Sequence, residues 1–196
     1  MRLFCFLSQP RCDGSFYCNM GYMNKFALVV VGIVSGFISY VLGFVVFSDI
    51  YFIPGAVFGI AIAGYFLYYN RPTVISLKIL VWISVSTLSY YTAVYTTIRL
   101  LKTNIGETIY VPFLLGGIIG TFLMLVGFHY FLFHLNVKQC IVLVLLGGIL
   151  GLSWFVGARA PIQSFVSEAK VSFLTLFVVW QTVMGFALGW VMSGKR

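Results

Sequence analysis

Few side chains in this sequence could do chemistry, and their spacing limits what that chemistry could be. His129 and His134, in "GFHYFLFHLN", stand five residues apart. On a helix that separates them by about 140° around the axis, so they do not present two imidazoles to one metal ion. Cys140 follows His134, yet no third group orients the imidazole and no oxyanion site accompanies the pair, as nucleophilic catalysis requires. Cys5, Cys12 and Cys18 lack the close pairs of a zinc site. There are only four acidic residues, and none falls inside a long apolar run. A proton relay, an aspartyl dyad and metal-assisted hydrolysis all lack their carboxylates. The expectation is a protein without enzymatic chemistry, cofactor or metal.

What remains is uncharged polarity set in apolar sequence. Gln181, in "VVWQTVMGF", is the one side-chain amide deep inside such a run. An amide left unpaired in hydrocarbon costs several kcal/mol, so it needs a partner. The stretch "WISVSTLSYYTAVYTTIR", 82–99, supplies hydroxyls on every side of a helix. A helix with no clean apolar face is ordinarily buried, so this one is expected near the middle of a bundle. Its serines and threonines have a second option, donating to carbonyls one turn earlier. Tyr90 and Tyr91 reach too far for that. A cluster of Gln181 with Thr87, Tyr90 and Tyr91 is the expected binding site, and His129 is a further candidate within the bundle.

The elements carrying these residues follow from composition. The chain is 61% hydrophobic and 8% charged, with a mean hydropathy of +1.05. Soluble domains are about 25% charged, and disordered chains are poor in aromatics, whereas this one is 18% aromatic. Crossing about 30 Å of hydrocarbon takes roughly 20 residues of helix. Six stretches meet that length: 26–47, 51–69, 77–98, 110–133, 139–157 and 171–192. Strand-period alternation is absent, which argues against a barrel. The expected fold is all-α, a polytopic bundle of six transmembrane helices over 26–192, with a tail at 1–25 and a short one at 193–196. Met20 or Met23 is an alternative start, since "MNKFALVVVG" reads as a start followed by a span.

Orientation follows from basic residues in short loops. With both termini inside, eight of them face the cytoplasm and four (Arg99, Lys102, Arg159 and Lys170) face outward. The net charge of +8 thus reads as a topology signal in the cytoplasmic membrane. It is not a nucleic-acid footprint, because no connection is long enough for a basic soluble domain.

Five of the six spans carry glycines four apart: Gly32/Gly36, Gly55/Gly59, Gly116/Gly120, Gly147/Gly151 and Gly185/Gly189. Such pairs let neighbouring backbones approach closely. They predict a compact Gly-rich bundle, or a face for a second copy or another membrane protein. "GIVSGFISYV" at 32–41 and "GIIGTFLMLV" at 117–126 align weakly, as do "PGAVFGIA" at 54–61 and "LGGILGLS" at 146–153. This hints at a 3+3 inverted repeat of the kind many carriers use. The functional expectation is a carrier or channel-like protein for a small neutral or lipophilic molecule. The alternative is a non-catalytic assembly partner that binds membrane proteins through its glycine faces.

Overall fold

A computed structural model describes residues 25–46, 52–70, 77–103, 109–131, 135–158 and 168–193. Among these residues the regular structure is entirely helical: α1 Lys25–Tyr40, a π-helical turn Val41–Val46, α2 Ile53–Asn70, α3 Leu77–Lys102, α4 Tyr110–Phe131, α5 Val137–Gly151, α6 Ser153–Ala158 and α7 Glu168–Ser193. The N-terminal tail with Cys5, Cys12 and Cys18, the segment 159–167, His134 and the last three residues lie outside the described residues.

Five apolar segments are long enough to cross a membrane: Phe26–Gly43, Leu77–Lys102, Tyr110–Tyr130, Val137–Val156 and Val171–Val191. The sixth expected span, α2, has 18 residues, about 27 Å at 1.5 Å per residue. That is just short of a hydrocarbon core of about 30 Å. The composition therefore describes an α-helical membrane protein, with five helices of full crossing length and one shorter apolar helix.

Local chemistry sets the helix ends. Pro54 and Pro112 lie in the first turns of α2 and α4, where a missing N–H costs no helical hydrogen bond. Asn136 caps α5: its Oδ1 accepts from the Gln139 N–H at 3.2 Å, while Gln139 Oε1 accepts from the Asn136 N–H at 3.0 Å. This reciprocal box satisfies two donors that the helix leaves open. The run expected as one span at 139–157 is broken at Leu152. There the N–H groups of Leu152 and Phe155 donate three residues back, to Ile149 and Leu152, at 3.0 Å each. These tighter turns set α6 off from α5.

The helices close into a ring. Each of α1 to α4 packs on its successor, α5 and α6 pack on α7, and α7 returns to α1. The glycines show how closely the backbones approach. A Cβ placed on Gly32 would lie 2.5 Å from the Gln181 carbonyl oxygen, and one on Gly36 would lie 2.7 Å from Val178 Cα. Gly55 stands against the Ser86 carbonyl at 2.6 Å, and Gly120 against Ala93 Cβ at 2.6 Å. Residue numbers rise on one helix as they fall on the other, so α1/α7, α2/α3, α3/α4 and α4/α5 are antiparallel neighbours.

One expectation is corrected here. The hydroxyl-rich helix α3 is not the hub of the bundle. Only 22% of its crossing segment is buried, the lowest share of the five, against 44% for α4 and for α7. The physical reason is local satisfaction. Ser84, Thr87, Ser89, Thr92 and Thr97 donate to the carbonyls of Leu80, Ile83, Val85, Leu88 and Ala93, each four residues back, at 2.6–3.0 Å. Hydroxyls discharged into their own helix do not force it inward. The aligned glycines at 54–61 and 146–153 have different neighbours: Gly55 and Gly59 of α2 face α3, whereas Gly147 and Gly151 of α5 face Thr121 and Phe113 of α4. The order of packing is compatible with a 3+3 repeat, with α1 on α2, α2 on α3 and α3 on α4 matched by α4 on α5, α5 on α7 and α7 on α1.

A Cβ on Gly185 would lie 2.6 Å from the Leu28 carbonyl oxygen of α1, so this glycine admits a neighbouring backbone. Gly189, one turn farther along α7, is buried as well.

One substitution at two places tests this packing. Gly32→Ala pushes a methyl into the α7 backbone and is expected to cost about 1–3 kcal/mol, as overpacking does. Gly64→Ala meets nothing within 4 Å, and is expected to leave stability unchanged or raise it by up to about 1 kcal/mol. Thermal unfolding of the detergent-solubilised variants measures both.

Candidate functional site

One half of the ring is centred on buried side chains and the other on a cavity. Trp82, Phe128, Ile62, Met184, Leu188 and Leu28 are fully buried, and all lie in the half nearer the chain termini. Trp82 anchors that half, its indole N–H donating to the Gly59 carbonyl at 3.0 Å and its ring edge-on to Phe128 at 5.6 Å. In the opposite half the helices stand around a cavity of about 250 Å³. Its walls come from the C-terminal half of α3, the N-terminal halves of α2, α4 and α7, Gly151 of α5 and Trp154 of α6. Antiparallel packing makes these the same end of the molecule.

Among the described residues no charged side chain lines the cavity. Its wall is built from glycines, aliphatic side chains and a chain of rings. Phe113 stacks on Trp154 at 5.5 Å, and Phe155 and Tyr110, which are not among the lining residues, extend the chain, Phe155 meeting Phe113 at 5.1 Å and Tyr110 at 4.6 Å. Trp154 then abuts Phe173 at 4.3 Å, Phe173 meets Phe177 at 5.9 Å, and Phe177 meets Tyr90 at 5.6 Å. The break between α5 and α6 matters here, because Trp154 and Phe155 follow it directly. Farther in, Phe58 and Trp180 meet edge to face at 5.6 Å.

Three of the wall hydroxyls, those of Ser86, Ser89 and Thr97, donate into protein. Ser86 donates across to the Gly55 carbonyl at 2.8 Å, and Ser89 to Val85 at 2.6 Å. Thr97 Oγ1 lies 2.9 Å from the Ala93 carbonyl and 3.3 Å from that of Pro112. The cavity therefore presents an apolar, aromatic surface with little to offer a charged or strongly polar guest.

No protein-family model, curated protein or solved structure matches this chain. Function has to be argued from the residues themselves.

The expected cluster around Gln181 does not form. Gln181 is fully buried, but its amide donates to Ser39 Oγ of α1 at 3.0 Å and to the Pro54 carbonyl of α2 at 3.3 Å. The reason is that α1 packs on this part of α7, with Gly32 against the Gln181 backbone. Its amide oxygen has no hydrogen-bond partner, and Gln181 is not among the cavity-lining residues. Thr87 donates within its own helix. Tyr91 is 48% exposed and stacks on Tyr95 at 6.2 Å, pointing away from the ring. Only Tyr90 of the expected group reaches the cavity, where its hydroxyl is buried without a hydrogen-bond partner.

His129 lies at the other end of the bundle. Its Nδ1 accepts the Leu135 N–H at 3.0 Å, tying the end of α4 to the start of α5. All ten paired glycines, Gly189 included, are buried in the chain. Gly55, Gly116, Gly120 and Gly151 also line the cavity, whereas Gly185 and Gly189 do not. Among the described residues no three His, Cys, Asp or Glu side chains gather into a metal-binding group. The aromatic wall was not foreseen from sequence, because its rings come from separate helices with no common spacing. The one pointer was positional: Pro54–Gly55 and Pro112 share an end, and Gly55 and Phe113 line the cavity.

The Gln181–Ser39 bond is expected to act as modest glue between helices. In a double-mutant cycle of Gln181→Leu and Ser39→Ala, the coupling energy should be about 0.6 kcal/mol, read from unfolding in detergent. A coupling of several kcal/mol would mean that the amide governs the fold far beyond this contact.

Proposed function

We propose that this protein binds a small neutral or lipophilic molecule in the hollow half of its bundle and acts as a carrier or channel-like protein for it. The observation carrying this reading is the aromatic-walled cavity of about 250 Å³, with no charged side chain among its described lining residues. Residue packing in proteins normally leaves few voids larger than a water molecule, so a space of this size calls for an occupant. The volume lies a little below the roughly 300–1,000 Å³ of drug-sized pockets, which suits a small molecule or a segment of a lipid chain.

In this reading α2 also crosses, giving six spans in a compact Gly-rich bundle with both termini in the cytoplasm, as the basic loops favour. The hollow half then faces outward in the cytoplasmic membrane. An assembly role through glycine faces has less support. The ten paired glycines are buried within the chain, and the close neighbours of Gly32, Gly36, Gly55, Gly59, Gly116, Gly120, Gly147, Gly151 and Gly185 are the chain's own helices. Intramembrane ion coupling also has little support, with no carboxylate in the crossing segments.

Tryptophan fluorescence tests the reading, since Trp154 and Trp180 line the cavity. Trp190 is 58% exposed and is removed by Trp190→Phe. With 1-bromooctane as a neutral quencher, saturable quenching is expected in that background. Adding Val94→Phe, which fills the cavity from α3, should lower the saturable component at least severalfold. Quenching that rises linearly with quencher and ignores Val94→Phe would reflect bulk partitioning and sink the reading.

A further inference from the structure

The outward face of α3 is unusual for the least buried crossing helix. Along it, at spacings of three or four residues, stand Leu80, Ser84, Leu88, Tyr91, Tyr95, Arg99 and Lys102. Leu80 and Leu88 are 56% and 61% exposed, and the aromatic and basic residues are exposed as well. The stripe is therefore graded, from aliphatic at mid-helix through aromatic to cationic at its C-terminal end.

Arg99 is held in a particular way. Its Nε–H donates to the Tyr95 hydroxyl at 2.8 Å, and its guanidinium carbon lies 5.2 Å from the Tyr95 ring centroid. Tyr95 stacks in turn on Tyr91, with ring planes 18° apart. The guanidinium is thus drawn back along the helix, toward the hydrocarbon, and fixed over an aromatic face. Its terminal nitrogens remain available, and a guanidinium engages phosphate through paired hydrogen bonds. The Tyr95 hydroxyl accepts from Arg99, so its own proton can donate. Lys102 adds a second positive charge one turn on. Among the described residues no carboxylate pairs with either cation.

We infer that this stripe is a binding site for an anionic phospholipid. The phosphate would lie on Arg99, Lys102 and the Tyr95 hydroxyl, with an acyl chain along Leu88 and Leu80. The lengths agree. Leu88 and Arg99 are separated by about 16 Å of helix rise, close to half of a hydrocarbon core of about 30 Å. The gradient from aliphatic to aromatic to cationic repeats the order of groups in one phospholipid molecule. A protein partner would have no need of that order. The site is separate from the cavity, which α3 lines with its other face.

Electron paramagnetic resonance on the full chain in bilayers tests this, using spin-labelled phosphatidylglycerol and phosphatidylcholine. The wild-type protein is expected to retain the anionic lipid at least about fivefold more strongly, the factor that one basic residue contributes near an anionic headgroup. Arg99→Gln should reduce the ratio by about that factor, and Arg99→Gln with Lys102→Gln should abolish it, with unfolding temperatures unchanged because both side chains are exposed. Tyr95→Phe keeps the ring, removes the hydroxyl and should fall between. Equal retention of the two lipids by the wild type would overturn the inference. So would an unchanged ratio in the double variant, or a dimer in bilayers that Tyr91→Ala dissociates.

Discussion

A polar group in hydrocarbon has to find its partner inside the protein, because there is no water to take its place. That constraint organises this molecule. In α3 it is met within the helix itself, where five hydroxyls donate to carbonyls one turn back. Having met its needs locally, α3 is free to stand at the rim of the ring with one face toward lipid. Where the partner lies on another helix, the bond ties neighbours together: Ser86 to Gly55, Trp82 to Gly59, and Gln181 to Ser39 and Pro54. Each of these acceptors sits where backbones come close.

The same close approach accounts for the contrast between the two ends. Without a Cβ, Gly32, Gly55 and Gly120 let α7, α3 and α3 respectively come to within van der Waals distance of their backbones. In the half nearer the termini the central space is then filled by Trp82, Phe128, Met184 and Leu188. In the other half the inward residues include Gly116, Gly117, Gly120 and Gly151, which occupy none of the interior. Rings line the space without closing it. The proposed guest of that cavity would meet surfaces suited to dispersion contacts and edge-on aromatic packing.

Helix α3 has two separate faces on this account. One contributes hydroxyl-bearing and small residues to the cavity wall. The other presents Leu88, Tyr91, Tyr95 and Arg99 to the bilayer. Low hydropathy on a helix that meets lipid is tolerated because none of its mid-span groups carries a charge, and because the cations are confined to its two ends, Lys78 in the first turn and Arg99 and Lys102 in the last, where the membrane interface accepts them.

Membrane class and helical content were legible in the sequence, because apolar length and the scarcity of charge are additive properties of a chain and need no knowledge of neighbours. So was the back-bonding option of the α3 hydroxyls, which depends only on residues four apart. Which option prevailed was decided by tertiary structure. Reading α3 as the hub assumed that hydroxyls on all sides require protein on all sides, and their internal bonds removed that requirement. The glycine spacing likewise marked where helices could approach, but not which helix each would meet: Gly55 meets α3 and Gly147 meets α4, and neither partner is written in the helix that carries the glycine. Gln181 was rightly singled out as needing a partner, but its partners lie on helices 142 and 127 positions away in sequence. Depth alone could not choose those over the equally deep Thr87 and Tyr90. The aromatic cavity is the extreme case: its rings sit on α2, α3, α4, α6 and α7, and no periodicity within one helix encodes where several helices leave a space. A sequence specifies what each helix can tolerate against lipid. Only the packed ring determines which faces meet, and therefore where the molecule is hollow.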